Sequence, residues 1–149
     1  MASLSSQLVG SWKLRSREDR TRGGELRIDP FLGPNPVGLA TFDRAGNFSA
    51  QLMKRDRDVD APSTTRVAVA NNTGGVDGYD SYFGTFVADD STGIVTQTLE
   101  GTISPRDAGR VVTRHMRVEN DVLTITVETS TLEGEPVTRT LVWERSPAT

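Results

Sequence analysis

The sequence predicts a closed antiparallel up-and-down β-barrel of eight to ten strands with one short helix. Three observations lead there. Hydrophobic residues alternate at period two along most of the chain, and helical periodicity is scarce. Turn signals at Asp43–Asn47 (DRAGN), Asp89–Gly93 (DDSTG), Glu119–Asp121 (END) and Glu133–Pro136 (EGEP) separate runs rich in Val, Thr, Ile, Leu or aromatic residues. That is the pattern of β-hairpin connections. Successive hairpins leave two sheet edges to hide, and closing the sheet removes both. A sandwich is the alternative, but its Greek-key topology expects more long crossovers than the chain offers.

In chain order the predicted strands are Leu8–Arg17, Glu25–Asp29, Val37–Phe42, Asn47–Lys54, Tyr82–Ala88, Ile94–Ser104, Arg110–Val118, Val122–Leu132 and Val137–Arg145. Pro30–Pro36 (PFLGPNP) must be a loop, because proline lacks the donor a sheet ladder needs. Ala61–Gly78 is the longest connection, and Ser63 or Thr64 there is placed to cap the short helix. No repeat, low-complexity tract or second domain interrupts the pattern.

The 149 residues suit one domain, and a chain of that length buries roughly 70% of its unfolded surface. Cysteine is absent, which excludes disulfides, thiolate metal sites and a cysteine nucleophile. No apolar run approaches the ~20 residues of a membrane helix, and the N-terminal MASLSSQLVG lacks a signal-peptide pattern. The expected setting is cytoplasmic, with no membrane partner. A net charge of −3 argues against nucleic acid as a partner. Arginines dominate the basic residues, and in KRDRDVD they interleave with acids, as on a solvated surface.

The two tryptophans sit near opposite ends of the chain, in QLVGSWKL (Gln7–Leu14) and TRTLVWERS (Thr138–Ser146). In a closed barrel the first and last strands pair, and Arg145 reaches Trp12. A guanidinium over an indole contributes roughly 0.5–2 kcal/mol and seals one end. Gly10-x-Trp12 on the first strand, with an Arg ending the last, resembles the calycin superfamily, the lipocalins and their relatives. The closer resemblance is to the small bacterial and fungal lipocalin-like domain proteins. It rests on LVGSWKL, the Gly33–Gly38 loop GPNPVG, the Phe42–Asp58 hairpin FDRAGNFSAQLMKRDRD, DGYDSYFGTF at Asp77–Phe86 and LVWER at Leu141–Arg145. Members of that family often carry a His on the strand after YFGTF, where this chain has Gln97 and Thr98. A role that depends on such a His does not carry over.

Strand alternation nominates the interior. Trp12 inward takes Leu14 and Ser16 with it and leaves Lys13 and Arg15 in water. Arg145 inward brings Trp143, Leu141 and Arg139. The other inward sets are Leu123, Ile125 and Val127; Val112, Arg114, Met116 and Val118; Val95, Gln97 and Leu99; and Tyr82 with Phe86. Arg114 is the odd polar member of its face, and a buried Arg demands partners. It is structurally paired, or exposed by a slip in this register, or the anchor of a ligand oxygen. The nearest strands offer few inward carboxylates in this register. Arg114 and Tyr82 are therefore the catalytic candidates. Gln51, Met53, Tyr79, Gln97, Arg139 and Trp143 are the ligand-contact candidates, with Gln51 or Met53 near the cavity mouth. For each of these, ordinary packing is the competing reading. His115, the single histidine, points outward, so no metal site is expected.

No Ser-His-Asp order, P-loop or dinucleotide fingerprint appears, and no cofactor is expected. The partner expected is a small, mostly apolar molecule in the barrel, held by a monomer or homodimer. The resemblance implies a cofactor-independent cyclase or isomerase acting on a hydrophobic secondary metabolite. The alternative is a non-catalytic intracellular carrier of a small apolar ligand.

Overall fold

The computed structural model describes residues 2–69 and 71–148. A short helix, α1 (Leu4–Leu8), precedes the strands β1 (Gly10–Arg20), β2 (Leu26–Arg27), β3 (Val37–Phe42), β4 (Asn47–Met53), β5 (Thr65–Arg66), β6 (Gly75–Val76), β7 (Tyr79–Ala88), β8 (Ile94–Thr102), β9 (Val111–Glu119), β10 (Val122–Ser130) and β11 (Pro136–Arg145). A 3-10 turn, Pro105–Asp107, joins β8 to β9. Antiparallel pairing runs β4-β3-β1-β11-β10-β9-β8-β7, and β4 pairs with β7 to close the circle. The eight-stranded barrel is thus shut, as the turn spacing and edge logic require. The tiny β2 extends the far end of β1, and β5–β6 hang from the start of β7.

The helix is not where the sequence places it. Within Ala61–Gly78 the would-be caps are spent otherwise: the Ser63 hydroxyl and the Thr64 amide both donate to Asp77 Oδ1 at 2.8 Å. That junction leads into the β5–β6 pairing instead of a helix. The observed helix lies at the N-terminus, where Ser3 caps α1 by accepting from the Ser6 amide at 3.2 Å and buries Leu4 and Leu8. An oxygen acceptor at this position relieves one unpaired N–H of the first turn.

That helix completes one end of the barrel. Trp12 is wholly buried, and its Nε1 donates to the Leu8 carbonyl at 2.9 Å. Arg145 is its register partner on β11, with the guanidinium 4.3 Å from the ring centroid. Arg145 also donates to the carbonyls of Gln7 and Val9 at 2.7 Å each and to Asp121 at 2.8 Å. Gly10 explains the Gly-x-Trp spacing. Its φ is +135°, and a Cβ there would lie 2.8 Å from Arg145 Nη1. Above this floor sits an apolar layer that includes Phe42, Phe48, Phe86, Val95, Leu99, Met116 and Leu123.

The opposite end departs from the predicted register. β1 carries a bulge between Leu14 and Ser16. One extra residue flips every later side chain to the other face. Ser16 therefore leaves the interior, and Arg17 and Asp19 enter it.

Candidate functional site

The end away from Trp12 is filled by charge. Arg17, Arg66, Arg114 and Arg139 are buried there, with Asp19 and Asp80 and the equally buried side chain of Asp29. Arg139 grips Asp19 through two bonds, Nε at 2.8 Å and Nη2 at 3.1 Å. Asp29 accepts from Arg17 at 3.2 Å and from Arg66 at 2.6 Å. Asp80 accepts from Arg66 at 3.4 Å and from the Thr73 hydroxyl. Bidentate and shared bonds of this kind offset the desolvation that ions meet inside a protein. Burial still pushes Asp80 upward, against the pull of Thr73 and Arg66. Burial also pushes Arg17 down to about 10, helped by Arg139. The few inward carboxylates expected from the sequence are in fact several, and the β1 bulge supplies the first of them.

Arg114 is the exception in this layer. It lies inside the barrel on β9, as its alternation with Val112 and Met116 requires. Yet only Nη1 is bonded, to Asn71 Oδ1 at 3.1 Å and to the Thr113 carbonyl at 2.9 Å. Both acceptors are neutral. Among the described residues Arg114 has no carboxylate, and its Nε and Nη2 have no protein partner and are not sealed from solvent. Burial lowers its pKa, with Tyr82 acting in the opposite sense.

Asn71 reaches Arg114 through a slit in the wall. β9 and β10 pair only as far as His115↔Thr126. Beyond that point Asn71 stands in for a strand: Thr113 N donates to its Oδ1 at 3.0 Å, and its Nδ2 donates to the Thr113 carbonyl at 3.1 Å. The segment around it is further fastened by Arg110 to the Asn72 carbonyl at 2.7 Å, and by the Gly74 amide to Asp107 at 2.8 Å. At the same end opens a cavity of about 420 Å³, with Asp19, Asp29, Arg66, Asn72, Glu133 and Arg139 in its lining and Ile28, Pro30, Val69 and Leu132 as apolar members; Arg114, Tyr82 and Gln97 are not in that lining.

Tyr82 faces inward from β7, packed against Phe48 at 6.0 Å between ring centroids. Burial raises its pKa while Arg114 opposes the shift, so the phenol stays protonated at neutral pH. Gln97 is buried on β8, opposite Val112 of β9. That makes it a diagonal neighbour of Arg114, a relation worth roughly 7–8 Å. Neither the Tyr82 hydroxyl nor the Gln97 amide bonds to a described residue, and neither is sealed from solvent. Trp143 is buried on β11 next to Leu14, and its Nε1 has no acceptor. Leu14 and Tyr82 point inward yet remain only partly buried.

The remaining predicted contacts lie elsewhere. On β4 the buried residues are Phe48, Ala50 and Leu52, so Gln51 and Met53 face outward and not the cavity mouth. Tyr79 pairs with Met53 on that outer face and donates to Gln51 Oε1 at 2.8 Å. Alternation on β4 turns on which of Phe48 and Ser49 is inward, and the aromatic wins. Arg139 lines the 420 Å³ cavity, but as the partner of Asp19. Arg17, Asp19, Asp29, Arg66 and Asp80 went unread in the sequence. Asp80 was legible: it shares parity with Tyr82 and Phe86. Arg66 was not, because it belongs to a two-residue strand inside the longest loop.

Among the described residues no cluster of three or more His, Asp or Glu is arranged to hold a metal, and no helix is long and apolar enough to cross a membrane.

A family model, the lipocalin-like domain, matches residues 9–146. The chain belongs to the lipocalin-like domain family. The match runs from just before the Gly10–Trp12 floor to just after Arg145, so it spans every strand of the barrel. No curated protein matches the chain. A lipocalin-like barrel is suited to binding a small molecule in its interior, and in this member the interior polar groups are those just described.

Proposed function

We propose that this lipocalin-like barrel takes one small, mostly apolar molecule and acts on it as a cofactor-independent isomerase or cyclase of a hydrophobic secondary metabolite. One observation carries the reading. Arg114, Tyr82 and Gln97 are inward-facing donors with no bonded carboxylate or side-chain acceptor but Asn71, set between the apolar layer and the paired charges of the barrel interior. A ligand oxygen replaces the water these donors meet, in surroundings whose low dielectric strengthens each bond. Tyr82 and Arg114 are both donors at neutral pH, so their chemistry is electrophilic. They polarise a carbonyl, lower the acidity barrier at the adjacent carbon and stabilise charge developing on oxygen. The walls hold a flexible substrate in one reactive conformer.

A carrier is the second reading. It is favoured by the state of the bases: Asp19, Asp29, Asp80 and Asp107 are each engaged by Arg, and Asp80 by Thr73 as well. Among the described residues each of these buried carboxylates is therefore engaged, and none of the four is free to take a proton.

Infrared spectroscopy with 2-acetylnaphthalene labelled at its carbonyl carbon separates the two. Polarisation predicts a carbonyl stretch displaced to lower frequency on binding, with the displacement reduced in Tyr82→Phe and Arg114→Met. Binding with an undisplaced stretch leaves the carrier reading. Absence of binding by a barrel shown to be folded rejects both.

A further inference from the structure

The charge balance inside the barrel says more about the ligand than its apolar walls do. Among the described residues every buried guanidinium but one meets a carboxylate. Arg139 has Asp19, Arg17 has Asp29, and Arg66 has Asp29 and Asp80. Arg114 is left with two neutral oxygens, both on the same nitrogen. A buried cation without a counter-ion is among the least favourable arrangements a protein can keep. Of the charges around it, Arg139 and Arg110 act on Arg114 with the same sign, and Asp80, itself bonded to Arg66 and Thr73, acts with the opposite one.

The free edge of Arg114 also has a shape. Nε and Nη2 are the two parallel donors that take a carboxylate side-on through two bonds, the geometry for which guanidinium is suited above ammonium. Both are unpaired, and neither is sealed from solvent. Tyr82, on which Arg114 acts before any other charged group, and Gln97, diagonal to Arg114 across β8 and β9, bring two further uncharged donors to the same part of the interior. The nearest acceptor that the protein offers, Asn71 Oδ1, already divides itself between Arg114 and the Thr113 amide.

We infer that the chamber is an oxyanion site: its ligand is a small apolar molecule that carries a single negative charge on oxygen, a carboxylate or a comparably acidic enol, seated on the free edge of Arg114 with Tyr82 and Gln97 donating alongside. The inference rests on the interior-binding reading above and deepens it. The ligand supplies the counter-ion that the fold omits. An uncharged carbonyl of the same shape satisfies the hydrogen bonds and leaves the charge unmet, so the two ligand types are separable.

A matched pair of probes tests this. 2-Naphthoate and 2-acetylnaphthalene share size and ring system and differ in charge. Calorimetric titration of the wild-type chain is expected to show naphthoate binding at least about tenfold more tightly. In Arg114→Met the gap should close, chiefly through loss of naphthoate affinity, while Arg114→Lys should keep a reduced preference for the anion. Circular dichroism and a melt check that each variant is folded. If Arg114→Met does not fold, the wild-type gap together with its narrowing in Arg114→Lys decides. Equal binding of both probes by the wild type, or an anion preference that survives in Arg114→Met, overturns the oxyanion site and leaves the interior-binding reading standing. Binding of neither probe at millimolar concentration overturns both.

Discussion

Arg145 and Arg114 are two arginines of one barrel, on strands facing the same interior, and the fold treats them oppositely. Arg145 spends its Nε, Nη1 and Nη2 on Asp121, the Val9 carbonyl and the Gln7 carbonyl, and lays its plane over Trp12. Arg114 spends one nitrogen on neutral oxygens and leaves an edge free. The first is finished as a structural part, joining helix, first strand and last strand. The second is buried but incomplete. Burial alone therefore does not distinguish a structural arginine from a binding one; the count of unused donors does.

The comparison breaks at the floor first. Trp12→Ala should lower stability by roughly 3–5 kcal/mol, as for other buried aromatics, measured by denaturant melts. A near-wild-type melt would show that Trp12 does not hold the floor. Next comes Arg145→Met, which keeps the stem over the indole but orphans two carbonyls of the helix end. The expected loss is about 1–3 kcal/mol, read in the same melts. Ser3→Ala removes the cap of α1 and should lower stability by about 1 kcal/mol. A larger loss would place more weight on the helix than its single cap bond implies.

Arg114→Met is the contrasting case. Because the side chain is buried without a carboxylate, its replacement by a similar apolar volume should leave stability unchanged or raise it, while Arg145→Met falls clearly below it. A loss for Arg114→Met equal to that for Arg145→Met would erase the difference between the two.

The smallest effect is in the pH dependence. The folded chain holds the Asp80 proton more tightly than the unfolded chain, because burial disfavours its charge. In the window just above the ordinary value of 3.8 the native state binds more protons, so this group makes stability fall as pH rises. Below that value its contribution is absent from the slope. Asp80→Asn should flatten that part of the stability profile. An unchanged slope would assign it to other groups.

How far the sequence was readable differs between the same two regions. The floor was legible because its signals are local and redundant: Gly10, Trp12 and Arg145 sit at strand positions whose pairing follows from closure alone. The inward placement of Arg114, Gln97, Tyr82 and Trp143 was legible for the same reason, since each lies on a regular strand with apolar neighbours two residues away. Gln51, Met53 and Tyr79 were misplaced because β4 alternates an aromatic with small residues, and parity there had no single strong marker. Asp19 was hidden by one bulge residue, whose presence changes the facing of everything after it.

By itself the sequence determined the all-β class, the closed barrel and the Trp12–Arg145 seal, because period-two alternation and turn residues act over a few positions and hold wherever a sheet must hide its edges. Tertiary structure alone decided the charge layer. Arg66 and Asn71 come from the longest loop, Asp29 from a two-residue strand's edge and Asp19 from beyond a bulge, and no local pattern links them. Which guanidinium is left without a carboxylate depends on which side chains meet across the barrel, and that is a property of distance in space and not of spacing along the chain.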